Sequence, residues 1–61
     1  MPLVLVVDDD GAIRDAVAEF LTYEGYDVAT AEHGRAALLY LRSGMRPDVI
    51  LLDMMMPVMD G

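Results

Sequence analysis

Carboxylates directly follow the two most apolar stretches of this 61-residue chain. An acidic triplet, Asp8–Asp10, comes after Leu3–Val7, and Asp53 comes after Val49–Leu52. Short continuous apolar runs of this kind predict strands that are buried on both faces. Because the carboxyl ends of parallel strands lie at one edge of a sheet, we expect these acids to converge there.

Three converging carboxylates repel one another unless a cation lies between them. We expect the three to be Asp8, Asp9 and Asp53. Oxygen ligands without imidazole or thiolate select a hard cation such as Mg²⁺ or Mn²⁺. Because Mg²⁺ is typically held by one or two carboxylates together with phosphate oxygens, the set indicates phosphoryl transfer. An aspartate such as Asp53 can act as the nucleophile and form an acyl phosphate.

Segments of helical period separate the apolar runs, which is the pattern of βαβ units around a parallel sheet. A first helix is expected from about Gly11 to Glu24, with Asp10 as its N-cap and Gly25 as its C′ residue. Its inner stripe would comprise Ile13, Ala16, Val17, Phe20 and Leu21. Residues 26–31 form a weaker alternating strand, and its polar residues suggest a sheet edge.

A second helix is expected from near Gly34 to Ser43-Gly44, before the loop at Arg46-Pro47. Its inner stripe would comprise Ala37, Leu38 and Leu41, while Leu39 and Tyr40 point outward. Right-handed crossovers then predict an α/β fold with a three-stranded parallel sheet in the order 2-1-3 and one helix on each face.

The composition excludes several classes of function. The net charge is −7, and all four basic residues are arginines, so a phosphate-neutralising nucleic-acid surface is not expected. No apolar run approaches the ~20 residues of a membrane span, and no signal peptide is recognisable. The absence of cysteine fits a cytoplasmic protein. A hydrophobic content of 56% suggests apolar surface that something else covers.

Several short motifs occur together at a spacing typical of one family. They are Leu5–Asp9, Gly25-Tyr26, His33-Gly34 with Ala37, Leu38 and Leu41, Pro47-Asp48, and Leu51–Gly61. With this set, the chain resembles the first half of a response-regulator receiver domain from two-component signalling. The resemblance extends over essentially the whole sequence, and the last motif is the most specific.

The resemblance implies a flavodoxin-like half-fold and a cytoplasmic, non-enzymatic signalling module. It implies that Asp53 accepts phosphate from a histidine kinase. It also implies that Asp8, Asp9 and Asp53 hold Mg²⁺ or Mn²⁺, with the backbone carbonyl of Met55 as a further ligand.

The sequence departs from the family in its length. A receiver needs about 120 residues, which lies within the ordinary range of domain sizes. The fourth and fifth strands, three helices, the family's Ser/Thr switch residue and its lysine have no counterpart in these 61 residues. We therefore interpret residues 1–61 as a truncated receiver with weak metal binding and impaired phosphorylation. We expect it to complete its sheet by homodimerisation through the third strand.

Other interpretations stay open at this point. The chain could be a non-catalytic half-domain that associates with itself or with a partner. A haloacid-dehalogenase-like phosphatase also uses a strand-end aspartate, but it expects an acid where Met55 stands. His33 is interpreted as a solvated residue at a helix start. The methionines after Asp53 suggest core filling rather than soft-metal binding.

Overall fold

The computed structural model describes residues 1–52 of the chain. Five elements follow one another: strand β1 (Leu3–Val7), helix α1 (Gly11–Tyr23), strand β2 (Asp27–Ala31), helix α2 (Gly34–Arg42) and strand β3 (Val49–Leu52). All three strands are parallel, in the order β2-β1-β3. The predicted order, class and edge position of the second strand are therefore confirmed, although β2 begins at Asp27 rather than Tyr26.

Both helices end in the same way. Gly25 and Gly44 have φ angles of 99° and 106°, in the left-handed region that favours glycine. After α1, the backbone N–H of Tyr26 donates to the carbonyl of Leu21, and after α2 the N–H of Met45 donates to that of Tyr40. This is the Schellman arrangement, and it turns the chain back toward the sheet. Gly25 thus occupies the predicted C′ position, one residue after the Glu24 cap.

The central strand carries the core. Val4, Leu5, Val6 and Val7 are all buried, as predicted for a strand covered on both faces. Leu5 and Val7 pack with Ala31 and Ala37, so this face of the sheet belongs to α2. Side chains alternate along a strand, so Val4 and Val6 lie on the opposite face, against α1.

The third strand does not have its predicted burial. All four residues of β3 are between 40% and 58% exposed, although the sequence predicts burial on both faces. The reason is the position of the helices: both contact β1 and β2, and within residues 1–52 neither contacts β3. The strand pairs with β1 alone among the described residues, and both of its faces remain open.

The inner stripes of the helices are rotated from their predicted positions. On α1, Val17 and Leu21 are half-buried, whereas Ile13, Ala16 and Phe20 are exposed. The predicted stripe therefore straddles the helix edge, and the side facing the sheet includes Arg14 and Ala18. On α2, Ala37 is buried and Leu41 is half-buried as predicted, but Leu38 is 56% exposed because α2 does not reach over β3. Leu39 and Tyr40 are exposed, as predicted.

Candidate functional site

The site at the carboxyl edge of the sheet begins with Asp8, the first residue after β1. Its side chain is 7% exposed, which makes it the buried charged residue of the described chain. Its backbone N–H donates to the carbonyl of Ala31 across 3.1 Å, which extends the pairing with β2 by one residue. Its Oδ1 accepts the backbone N–H of Asp10 at 2.9 Å. Asp8 is thereby fixed on the sheet, with its carboxylate turned toward the residues that follow it in the chain.

The three acids of the triplet occupy different environments. Asp9 is exposed. It lies between Asp8 and Asp10, whose side-chain oxygens both accept hydrogen bonds from backbone N–H groups. Asp10 is the N-cap of α1, and its Oδ1 accepts the backbone N–H groups of Ala12 and Ile13 at 2.9 and 3.2 Å. The prediction that Asp10 caps the helix is therefore confirmed. Its Oδ1 accepts two N–H groups of the helix, so Asp10 has a capping role, and Asp8 and Asp9 stay the predicted cation ligands of the triplet.

The register of the sheet determines what lies beside Asp8. Val7 and Leu52 are partners, and they are the last residues of β1 and β3. Asp53, predicted to be the nucleophile, follows Leu52 in the sequence, but it lies outside the described residues, as does Met55. Within residues 1–52, no three acidic or imidazole side chains form a group that could hold a metal ion. Asp8 and Asp9 supply only oxygen ligands, which fit Mg²⁺ or Mn²⁺.

Two residues whose bonds the sequence did not predict stabilise this edge and its opposite end. The Nη1 of Arg14 donates to the backbone carbonyl of Asp8 at 3.0 Å. At the other end of the sheet, Oδ2 of Asp48 accepts the N–H of Leu3, and the N–H of Asp48 donates to the Leu3 carbonyl, both at 2.8 Å. A signal for Arg14 existed, because it is a charged residue on the sheet-facing side of an amphipathic helix.

His33 has a structural role at the start of α2. It is the N-cap, and its Nδ1 accepts the backbone N–H of Ala36 at 3.1 Å. The imidazole must be unprotonated at Nδ1 to accept this bond. The side chain is exposed, in agreement with the interpretation of a solvated residue at a helix start.

Comparisons with known proteins assign this arrangement to a family. Residues 4–61 match the family model described as the response regulator receiver domain. The chain is 48% identical over 62 aligned positions to the response regulator MprA of Mycolicibacterium vanbaalenii, and 49% identical over 61 to the transcriptional regulatory protein AfsQ1 of Streptomyces coelicolor. Each alignment covers the whole chain but only 26% and 27% of the respective relative.

Solved structures of one relative have the same fold. The chemotaxis protein CheY4 of Vibrio cholerae is 47% identical, with TM-scores of 0.88 and 0.85 in two structures. The match covers 97% of this chain and 48% of the CheY4 chain. The chain thus spans about half the length of this solved relative and about a quarter of the curated ones. Separately, no helix within residues 1–52 is long and apolar enough to cross a membrane.

Proposed function

The chain belongs to the response-regulator receiver family, and on that premise we propose that it is the phosphoacceptor half of a receiver module. Receiver domains are mostly non-enzymatic signalling modules that generally bind Mg²⁺ and interact with histidine kinases. In this proposal, Asp53 accepts a phosphoryl group from a histidine kinase in the cytoplasm. The observation that supports it best is the register of β1 and β3, in which Val7 and Leu52 end side by side.

The register supports a shared site because both strands continue into aspartates. Asp8 follows Val7 directly in the sequence and Asp53 follows Leu52 directly, so we expect their carboxylates to lie at the same edge of the sheet. Asp8 and Asp9 would hold the cation, together with Asp53 and the backbone carbonyl of Met55. Bound Mg²⁺ neutralises the oxygens of the phosphoryl group. A carboxylate oxygen of Asp53 attacks phosphorus, the bond from phosphorus to the donor breaks, and an acyl phosphate remains.

We further propose that a polypeptide of these 61 residues is phosphorylated slowly. The sequence contains no lysine and no counterpart of the family's hydroxyl switch, so two groups that would contact the phosphoryl oxygens are absent from it. Removing one such preorganised contact typically lowers a rate by ~10²–10³. Among the arginines, Arg14 lies at this edge of the sheet, and its Nη1 is bonded to the Asp8 carbonyl.

The experiment is labelling with acetyl phosphate in the presence of Mg²⁺, followed by intact mass spectrometry. We expect slow and partial addition of one phosphoryl group, which disappears when Mg²⁺ is omitted or Asp53 is replaced by asparagine. Asp48→Asn is the matched control, because it changes a carboxylate at the opposite end of the sheet. Rapid, near-complete labelling would contradict the impairment, and equal labelling of Asp53→Asn would contradict the assigned nucleophile.

A second candidate function is self-association through β3. The strand has both faces 40–58% exposed and, within residues 1–52, pairs with β1 alone. Exposed strand edges bind other strands, and antiparallel pairing of β3 with its copy would give a six-stranded sheet in the order 2-1-3-3′-1′-2′.

The positions of the helices limit the strength of this dimer. Strand pairing satisfies the edge of β3, but α1 and α2 lie over β1 and β2 and do not cover the faces of β3. The two protomers also carry −7 each, so they repel one another at low ionic strength. We therefore expect a weak dimer that salt strengthens.

Light scattering at micromolar concentration and two salt concentrations tests the dimer. Leu51→Lys should shift the mass toward the monomer, because charge at an edge strand opposes pairing. Leu39→Lys is the matched control, since Leu39 is also exposed, at 60%, but lies on α2. Leu51→Pro should leave an unfolded or aggregated chain. A folded monomer of the parent sequence at every concentration would eliminate this candidate.

A further inference from the structure

Arg14 occupies an unusual position for a cation. It is the fourth residue of α1, close to the positive end of the helix dipole, where a positive charge is disfavoured. It is half-buried on the side of the helix that faces the sheet. Its guanidinium lies over the first turn of the helix. A Cβ built on Gly11 would be only 3.4 Å from Nη2 of Arg14. Some interaction outside the helix must offset this placement.

The offsetting interaction is the bond to the end of β1. Nη1 of Arg14 donates to the Asp8 carbonyl at 3.0 Å, across six residues of sequence. The other bonded groups of Asp8 are its N–H, which pairs with Ala31 of β2, and its Oδ1, which accepts the N–H of Asp10. Three separate parts of the chain therefore restrain this one residue: β2, the turn after β1, and α1.

The carbonyl that Arg14 contacts belongs to the peptide that joins Asp8 to Asp9. Fixing this carbonyl fixes the plane of that peptide, because the peptide unit is rigid. The Cα atom of Asp9 lies in the same plane, and the residue is exposed. The bond from Arg14 therefore restrains the backbone position from which the Asp9 side chain projects.

We propose that Arg14 is a positioning residue for the carboxylate pair that binds the divalent cation. This inference rests on the proposed function, since it assigns a role within that site. Arg14 acts through the Asp8–Asp9 peptide and does not itself bind the cation. Its charge opposes cation binding, whereas its hydrogen bond favours binding by fixing the ligands in place. The two contributions have opposite signs, so substitutions can separate them.

The test compares the Mn²⁺ affinities of the parent chain, Arg14→Met and Arg14→Lys, measured by titration with electron paramagnetic resonance. Arg35→Met is the matched control, because it removes an exposed arginine from α2. Residues that orient metal ligands typically contribute 10–100-fold to affinity. We expect Arg14→Met to weaken Mn²⁺ binding about tenfold. Arg14→Lys should weaken it less, because lysine keeps a donor but not the planar fork. Arg35→Met should leave binding unchanged or slightly tighter.

Tighter Mn²⁺ binding by Arg14→Met would overturn the proposal, because it would show that the charge alone matters. Unchanged binding would overturn it too. Amide hydrogen exchange provides a readout that needs no metal. We expect the exchange of the Asp10 N–H, which bonds to the Asp8 carboxylate, to accelerate in Arg14→Met relative to the N–H of Val6 in the central strand.

The exchange readout also separates this inference from the proposed function. Absence of saturable Mn²⁺ binding in the parent chain would contradict the metal site. In that case, unchanged Asp10 exchange would still overturn the positioning role, and selective acceleration would support it. If Arg14→Met fails to fold, Arg14→Lys replaces it in both measurements, with the same expected direction and the same contradicting outcomes.

Discussion

Asp10 offers a way to separate helix capping from metal binding within one acidic triplet. The perturbation is Asp10→Ala, which removes the oxygen that accepts the N–H groups of Ala12 and Ile13. Replacing an N-cap aspartate by alanine costs about 1 kcal/mol, with a range of roughly 0.5–2. The negative charge at the helix N-terminus is worth a further 0.3–1 kcal/mol, roughly, when exposed. The expected loss is therefore between 1 and 2 kcal/mol, roughly, since the two effects overlap.

A loss of this size is large for so small a chain. At about 0.05–0.15 kcal/mol per residue, 61 residues give a total stability of roughly 3–9 kcal/mol. For a domain of this size, each kcal/mol shifts Tm by about 4–8 °C. Thermal unfolding followed by circular dichroism measures the shift. Asp10→Ser keeps the capping oxygen but loses the charge, so it should recover about half of the loss.

The same variants should leave cation binding nearly unchanged, whereas Asp9→Asn should weaken cation binding and leave Tm almost unaltered. Asp9 is exposed, so replacing its carboxylate removes no buried contact. The assigned roles require that loss of stability and loss of cation binding occur in different variants. A Tm for Asp10→Ala equal to that of the parent would refute the capping argument. Loss of Mg²⁺ binding in the well-folded Asp10→Ser variant would refute the assignment of capping to Asp10 and of cation binding to Asp8 and Asp9.

Three further variants test the fold that supports the site. Asp48→Ala should lower the free energy of unfolding by about 1 kcal/mol, because it breaks the bond to the Leu3 N–H. Asp48→Asn should retain most of that energy. Denaturant titration measures both variants, and equal midpoints for them and the parent chain would contradict this role of Asp48. Gly25→Ala should lower the free energy of unfolding by roughly 1 kcal/mol or more, because φ is 99° and a Cβ there would lie 3.1 Å from Met1 Cε. A higher Tm for this variant than for the parent would contradict this reasoning. Leu5→Ala should lower the free energy of unfolding by about 2–5 kcal/mol and leave little cooperative melting, since Leu5 is fully buried. A cooperative transition with a Tm within a few degrees of that of the parent would be incompatible with this core.

Local chemistry made much of the fold predictable. Asp10 and Gly25 mark the ends of α1 because capping and left-handed backbone depend on a few neighbouring residues. The strand order follows from the handedness of the crossovers together with the polar residues that place the second strand at an edge. Val4 to Val7 have the burial that the continuous apolar run predicts, because a helix covers each face of β1.

The failures have a common physical cause. An apolar run such as Val49–Leu52 shows that burial would be favourable, but it does not show what covers the strand. Leu38 is exposed for the same reason, because α2 does not reach over β3. Ile13 and Phe20 are exposed because the side of α1 that faces the sheet is rotated from the predicted stripe. The bonds of Arg14 and Asp48 were not predicted, because they join one element to another and residue spacing does not identify the bonding partner. The site residues Asp53 and Met55 lie outside the described residues and stay predictions.

The central claim is that Asp8, Asp9 and Asp53 form one cation site at the carboxyl edge of the sheet. The most direct test is a Mg²⁺ titration of the parent chain and its Asp9→Asn and Asp53→Asn variants, followed by amide chemical shifts. The account predicts saturable shifts at the amides of Asp8 to Asp10 in the parent, and clearly weaker binding in both variants. Identical binding curves for the three chains, or shifts spread equally over the acids of α1 such as Asp15 and Glu19, would contradict it.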